Sequence, residues 1–290
     1  MQALRATLFV SAVSAVSAVC AGAALPQDSR AAGDDTTSPH TFTGNVALVS
    51  DYRFRAISQT YTLPAIQGGF DYSHSSGFYL GTWASSVSTN LYNNGAGMEW
   101  DLYGGYKWQV GDATTLDFGI LQYIYPGAHY NDDQNTRYNN TEIYIGLVWD
   151  WFSAKYAYAA SDYFGVNSHT YGGYLPIVNN RGAIDEGRAL NEDPGSSRGS
   201  GYLDVNGAFT VRDKTTLVLH VGWLGVRNYS VLSYVDYKVS LAHDFGWGVV
   251  SAAAIASTAG DKWYRYCETS GDSCKNPADS TLVLSLSRTL

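Results

Sequence analysis

The residues of this chain that could do chemistry are mostly charges at a spacing of two. Asp51, Arg53 and Arg55 alternate with Tyr52 and Phe54; Glu99 and Asp101 alternate with Met98, Trp100 and Leu102; Asp236 and Lys238 alternate with Val235, Tyr237 and Val239. In an extended strand residues i and i+2 share a face, so each set puts ionisable groups on one side and apolar groups on the other. Rows of this kind line a path for ions or pair inside a packed interior. Catalytic patterns are missing: there is no G-x-S-x-G elbow and no H-E-x-x-H helix. His220 falls mid-strand on the inward face, His243 near a tight turn, and His40, His74, His129 and His169 in the lead-in or loops. A barrel lipid hydrolase is thus the weaker alternative, and neither an enzyme nor a cofactor is expected. Asp132 with Asp133, and the run 185–193 with Glu186 and Glu192, lack the spacing of a calcium loop and read as solvated surface. No metal site is expected. Gly199 and Gly201 are too sparse to cradle a phosphate and open a strand instead.

The elements that must position the charges follow from the same periodicity. From Met98 to Val110 even positions are apolar apart from Gly104, and odd ones carry Glu99, Asp101, Lys107 and Gln109. Twelve such segments are predicted, at 44–55, 63–74, 77–88, 98–110, 114–126, 140–149, 152–164, 200–211, 215–227, 233–244, 248–260 and 280–290. Their connections alternate between tight and long. A β-sandwich alternates too, but its loops have no reason to sort by parity. The sorting predicts an all-β fold: an antiparallel transmembrane β-barrel of about twelve strands, with short periplasmic turns, long extracellular loops and both chain ends on the periplasmic side. Trp108, Trp149, Trp151 and Trp247 fall at or beside tight turns, where amphipathic rings favour the membrane boundary.

Composition agrees. Charged residues make up only 15% while Gly numbers 30, Tyr 23 and Trp 8, and a net charge of −8 with no basic run argues against nucleic acid as a partner. Residues 1–24 read as a cleaved export signal, with Arg5 ahead of a small and apolar run; 25–42 read as a flexible lead-in, and 43–290 as the barrel. Ser11, Ser14 and Ser17 weaken the rival reading of an anchor helix, and Val19 before Cys20 argues against lipidation. Once the signal is removed, Cys267 and Cys274 remain. A disulfide suits an exported loop, whereas zinc would need further Cys or His nearby.

The stretches SDYRFRAISQT (50–60) and PAIQGGFDYSHSSGFYLGTWASS (64–86), with YPGA (125–128), EIYIG (142–146), SAKYAY (153–158) and YLDV (202–205), resemble the TorF family of proteobacterial porins over 43–290. Three departures stand out: Ala56 where that family usually has Gly, Leu290 where an aromatic usually ends the chain, and the long loop 165–199. The resemblance implies an outer-membrane, porin-like channel for passive diffusion of small polar or charged solutes, with lipid and those solutes or ions as partners. The chain carries no motif that assigns a solute or an oligomeric state. The alternative is a non-conducting structural or adhesive barrel that binds a partner through its loops, and 165–199 keeps it open.

On the first strand Val46, Leu48, Tyr52 and Phe54 are expected to face lipid, leaving Asn45, Asp51, Arg53 and Arg55 inside. The remaining lumen candidates are Gln67, Asp71, Glu99, Asp101, Lys107, Asp117, Glu142, Lys155, Asp204, His220, Asp236 and Lys238. Acids outnumber Arg and Lys among them, which predicts a weak cation preference restrained by Arg53 and Arg55 near the extracellular end of strand one.

Overall fold

The period-two segments become strands in the computed structural model, which describes residues 38–171, 195–267 and 274–290. In chain order they are β1 (His40–Val49), β2 (Arg53–Phe54), β3 (Ile57–Ser58), β4 (Ala65–His74), β5 (Phe78–Ser86), β6 (Met98–Val110), β7 (Thr114–Ile124) and β8 (Asn140–Trp149). There follow β9 (Phe152–Ala159), β10 (Gly201–Arg212), β11 (Thr215–Gly225), β12 (Tyr234–Asp244), β13 (Val249–Ser257), β14 (Tyr266–Cys267), β15 (Cys274–Lys275) and β16 (Thr281–Thr289). Twelve of them close into one antiparallel barrel, leaving β2–β3 and β14–β15 as separate short ladders. β1 makes the closure, pairing β4 on one side and β16 on the other. Closure leaves no edge, which is the condition for β-structure to sit in lipid. At the chain's last residue the Leu290 N–H donates to the Gly44 carbonyl at 2.8 Å, extending the β1–β16 seam.

Parity sorting holds in space. The tight connections 75–77, 111–113, 150–151, 213–214 and 245–248 lie at one end, and the longer connections that follow β1, β5, β7, β9, β11 and β13 leave from the other. Val46, Leu48, Ile66, Phe70, Leu80, Trp100, Ile120, Ile143, Leu219, Val239 and Leu284 are exposed on the outer face, an apolar belt that water would not favour and lipid would. Trp108, Trp149, Trp151 and Trp247 are exposed beside tight turns.

The interior explains the Gly- and Tyr-rich composition. Gly81 pairs Tyr103, Gly105 pairs Tyr79, and Gly119 pairs Tyr144 directly across strands. In each pair the ring lies over the glycine, so that a Cβ on Gly81 would meet Tyr103 at 2.5 Å. Small residues on one strand thus admit large rings from the next.

The first strand departs from expectation. β1 begins at His40, which pairs His74, so both histidines belong to the wall and not to the lead-in or a loop. It ends at Val49, not at residue 55. Beyond Val49 its neighbour β4 has already ended at Ala65, so an extended continuation would leave backbone unpaired against lipid. The chain turns inward instead. Tyr52 and Phe54, expected to face lipid, are only 1% and 8% exposed and lie in the core with Tyr123 and Tyr125. The inward-folded segment is a two-residue hairpin in which Arg53 pairs Ser58 and Phe54 pairs Ile57. Its turn residues Arg55 and Ala56 have φ of 49° and 65°, both left-handed as a type I′ turn demands. Glycine is the residue this geometry favours at position 56, a physical reason for its usual presence there.

Candidate functional site

The inward segment 50–64 crosses the barrel and is tied to walls on several sides. Arg53 Nε meets Asp51 at 2.6 Å, and its Nη1 donates to the carbonyls of Ala56 (3.0 Å), Pro277 (2.5 Å) and Asp279 (3.0 Å). Asp51 also accepts from the hydroxyls of Ser58 at 2.6 Å and Thr60 at 3.1 Å. Arg55 reaches Glu142 on β8 at 2.8 Å and donates to the Tyr163 hydroxyl at 3.1 Å. Its guanidinium lies over the rings of Phe54 (4.6 Å) and Tyr202 (4.2 Å), while its carbonyl accepts from Tyr234 of β12 at 2.8 Å. Tyr52 donates to Glu99 of β6 at 3.2 Å. Arg53 and Arg55 are therefore anchors of a lumenal hairpin, not free charges at the end of strand one. The expected location was wrong because the alternation 50–55 continues inside the barrel.

The predicted lumen candidates fall into two sets. Near the long loops, Gln67, Glu99, Asp101, Glu142 and Asp236 of the wall are buried, as are Asp51, Arg53 and Arg55 of the inward segment, and Asp117 is buried nearer the tight turns. Asn45, Asp71, Lys107, Lys155, Asp204, His220 and Lys238 keep partial exposure.

Most of these charges have partners. Lys107 is in register with Asp117, and Lys155 with Asp204. His220 sits between Asp236 (2.8 Å), Asn206 (2.9 Å) and Asp204 (3.5 Å). Tyrosines connect the set: Tyr79 donates to Asp117 at 2.7 Å and meets the Tyr144 hydroxyl at 2.5 Å, Tyr103 donates to Asp71 at 2.5 Å, and Tyr202 donates to Asp236 at 3.0 Å. These donors were not singled out from sequence, although Tyr103 shares the parity of Glu99 and Asp101. Two acids differ from the rest. Glu99 and Asp101 are 0% exposed, and Glu99 Oε2 and both Asp101 oxygens have no hydrogen-bond partner. A buried carboxylate without partners costs several kcal/mol, so the excess of acid is concentrated at one level of the lumen.

Other candidates lie outside this interior. Cys267 stands opposite Cys274 in the β14–β15 register. Asp132 accepts from the Thr136 N–H at 2.8 Å and hydroxyl at 2.5 Å. Burial works against the Asp132 charge, but the Thr136 bonds outweigh it and hold the carboxyl below its ordinary range. Asp133 faces His169 at 3.6 Å. No group of three or more His, Cys, Asp or Glu is arranged to hold a metal ion among the described residues. Of the loop 165–199, the flanks close over the mouth, with Val166, Thr170 and Ser197 buried. Residues 172–194, including the acidic run 185–193, lie outside the described residues, as do residues 1–37, which hold the expected export signal and most of the expected lead-in.

Among solved structures, the fold is similar to the KdgM porin (8% identity, TM-score 0.47, covering 84% of this chain and 97% of that one). It is likewise similar to the NanC porin (10% identity, TM-score 0.46, covering 86% and 98%). A KdgM porin in complex with disordered oligogalacturonate matches at 9% identity and a TM-score of 0.45, covering 85% and 98%. The barrel assignment rests on its own strand pairing rather than on these likenesses. No curated protein matches the chain. A family model described as "Bacterial protein of unknown function (Gcw_chp)" matches residues 33–290, which include every strand of the barrel, and the chain belongs to that family.

Proposed function

We propose that the protein is an outer-membrane, porin-like channel for small polar or charged solutes, narrowed on its loop side by the inward segment 50–64. The observation that carries this reading is the contrast between the two faces of one closed wall. An apolar belt faces out, while ionisable groups including Asp71, Glu99, Lys107, Lys155, His220 and Asp236 face in. A filled structural core has no need of so many ions, whereas a path for solutes does. The TorF resemblance supports the same reading, and the excess of acids over Arg and Lys among the inward candidates supports a weak cation preference. The second reading, a barrel that conducts nothing, draws on the 1% exposure of Arg53 and the complete burial of Glu99 and Asp101.

Planar-bilayer recording of the mature chain, beside the double variant Arg53→Ala/Arg55→Ala, separates the two. The channel reading expects small unitary conductance in the wild type and a clear increase in the variant. Closed bilayers with both proteins, each shown by gel mobility to be folded, would favour the non-conducting barrel. Reversal potentials in a salt gradient test the preference for cations.

A further inference from the structure

A cavity of about 140 Å³ lies at the loop end, above the inward hairpin. Phe54 and Ile57 form one side, Tyr92 and Tyr138 another, and Phe164 and Trp263 help to close it. Its chemistry differs from that of the lumen below. Among the described residues, no Asp, Glu, Lys, Arg or His lines it. The adjacent Arg55 does not line it: its guanidinium lies behind Phe54 and Tyr163, paired with Glu142 at 2.8 Å and donating to the Tyr163 hydroxyl at 3.1 Å. A charged ligand would therefore lose its hydration with no counter-ion to replace it.

Most polar groups around the cavity are already engaged within the protein. The Ser58 hydroxyl donates to Asp51 at 2.6 Å, and the Gln59 amide donates to the Ile57 carbonyl at 2.8 Å and accepts from the Tyr92 hydroxyl. The hydroxyls of Tyr130, Tyr234 and Tyr264 donate to the carbonyls of Phe164 (3.1 Å), Arg55 (2.8 Å) and Leu232 (2.6 Å). The lining mainly presents ring carbon and aliphatic surface to its contents. A sugar would leave several hydroxyls unpaired there, at a cost that stacking alone does not offset. The aromatic wall is also held in place, since Tyr130 stacks on Tyr138 at 4.1 Å and Tyr92 meets Tyr138 edge-on at 5.3 Å. An apolar cavity of roughly 150 Å³ elsewhere is known to stay dry and to hold one benzene molecule. We infer that this cavity is a binding site for a neutral single-ring aromatic compound at the mouth of the barrel. That such a compound is a solute of the channel rests on the function proposed above; the site itself does not.

Ligand-observed saturation-transfer NMR on the mature chain in detergent micelles tests the site with phenol, benzoate at neutral pH and glucose as probes. Saturable phenol binding is expected, with benzoate and glucose giving none. Ile57→Trp should fill the cavity and weaken phenol binding by about tenfold or more, while Ile66→Trp on the lipid face should leave it unchanged. Nuclear Overhauser contacts from phenol protons to the Ile57 methyls are expected in the wild type, so the site stays testable even if Ile57→Trp does not assemble. Saturable glucose binding without phenol would overturn the inference in favour of a carbohydrate site. Equal phenol signals from the wild type and Ile57→Trp, with no contact to Ile57, would reduce it to partition into the micelle. A barrel that binds phenol but never conducts would overturn the channel and leave the site; one that conducts without binding phenol would do the reverse.

Discussion

Arg53→Ala should release the hairpin that narrows the lumen. Arg53 is 1% exposed and makes an ion pair with Asp51 at 2.6 Å and hydrogen bonds to three carbonyls between 2.5 and 3.0 Å. Four charge-assisted bonds taken singly would suggest ~6–12 kcal/mol, but such bonds share one side chain and are not additive. Removing one partner from a buried pair typically costs about 3–5 kcal/mol, because the other charge is left unpaired. Asp51 would keep the Ser58 and Thr60 hydroxyls, which places the expected loss near the low end, about 3 kcal/mol. Pairing the change with Asp51→Asn in a double-mutant cycle should recover about 2 kcal/mol as coupling. The assay is urea unfolding in liposomes, read from the folded and unfolded gel bands, with bilayer conductance measured in parallel. If the hairpin undocks before the wall unfolds, the global loss is capped by its docking energy and conductance rises instead. A loss below about 1 kcal/mol with unchanged conductance would refute the anchoring role.

Asp101→Asn replaces a fully buried carboxyl with no hydrogen-bond partner by an amide that cannot ionise, so stability should rise by about 1–3 kcal/mol; a loss of stability in the same urea assay would show that Asp101 has an essential counter-charge. Gly119→Ala pushes a methyl into the Tyr144 ring, which should disturb the Tyr79–Asp117 contact and cost about 1–3 kcal/mol, whereas a neutral result would mean that the ring swings freely. Cys267 and Cys274 are expected to be joined, so a thiol count on denatured, unreduced mature protein should return none; two reactive thiols would remove the bond. Cell fractionation should find the chain in the outer membrane with gel mobility that changes on boiling, and a soluble periplasmic protein of constant mobility would contradict the membrane reading.

Local periodicity was enough for most of the wall. The side-chain period of two is a property of any extended chain beside lipid, so alternation around Trp100, Leu219 and Leu284 marked strands and their outward faces without knowledge of their neighbours. Loop parity is also written along the chain, because successive connections of an up-and-down barrel fall at alternate ends. The same rule misplaced Tyr52 and Phe54. Alternation continues through 50–55, and nothing local says that β4 ends at Ala65 and leaves this stretch without a partner in the wall. Closure decided the rest. Arg55 finds Glu142 and Tyr234 only because the barrel sets β8 and β12 around one lumen, far from residue 55 in sequence. Glu99 and Asp101 read as two more lumenal acids until tertiary packing buried them without partners. The aromatic cavity is assembled from long loops, the inward hairpin and the loop ends of β11 and β12, which are far apart in sequence and meet only through closure. Period and turn length are local consequences of backbone geometry, whereas pairing across a closed lumen depends on which residues the closure brings opposite each other.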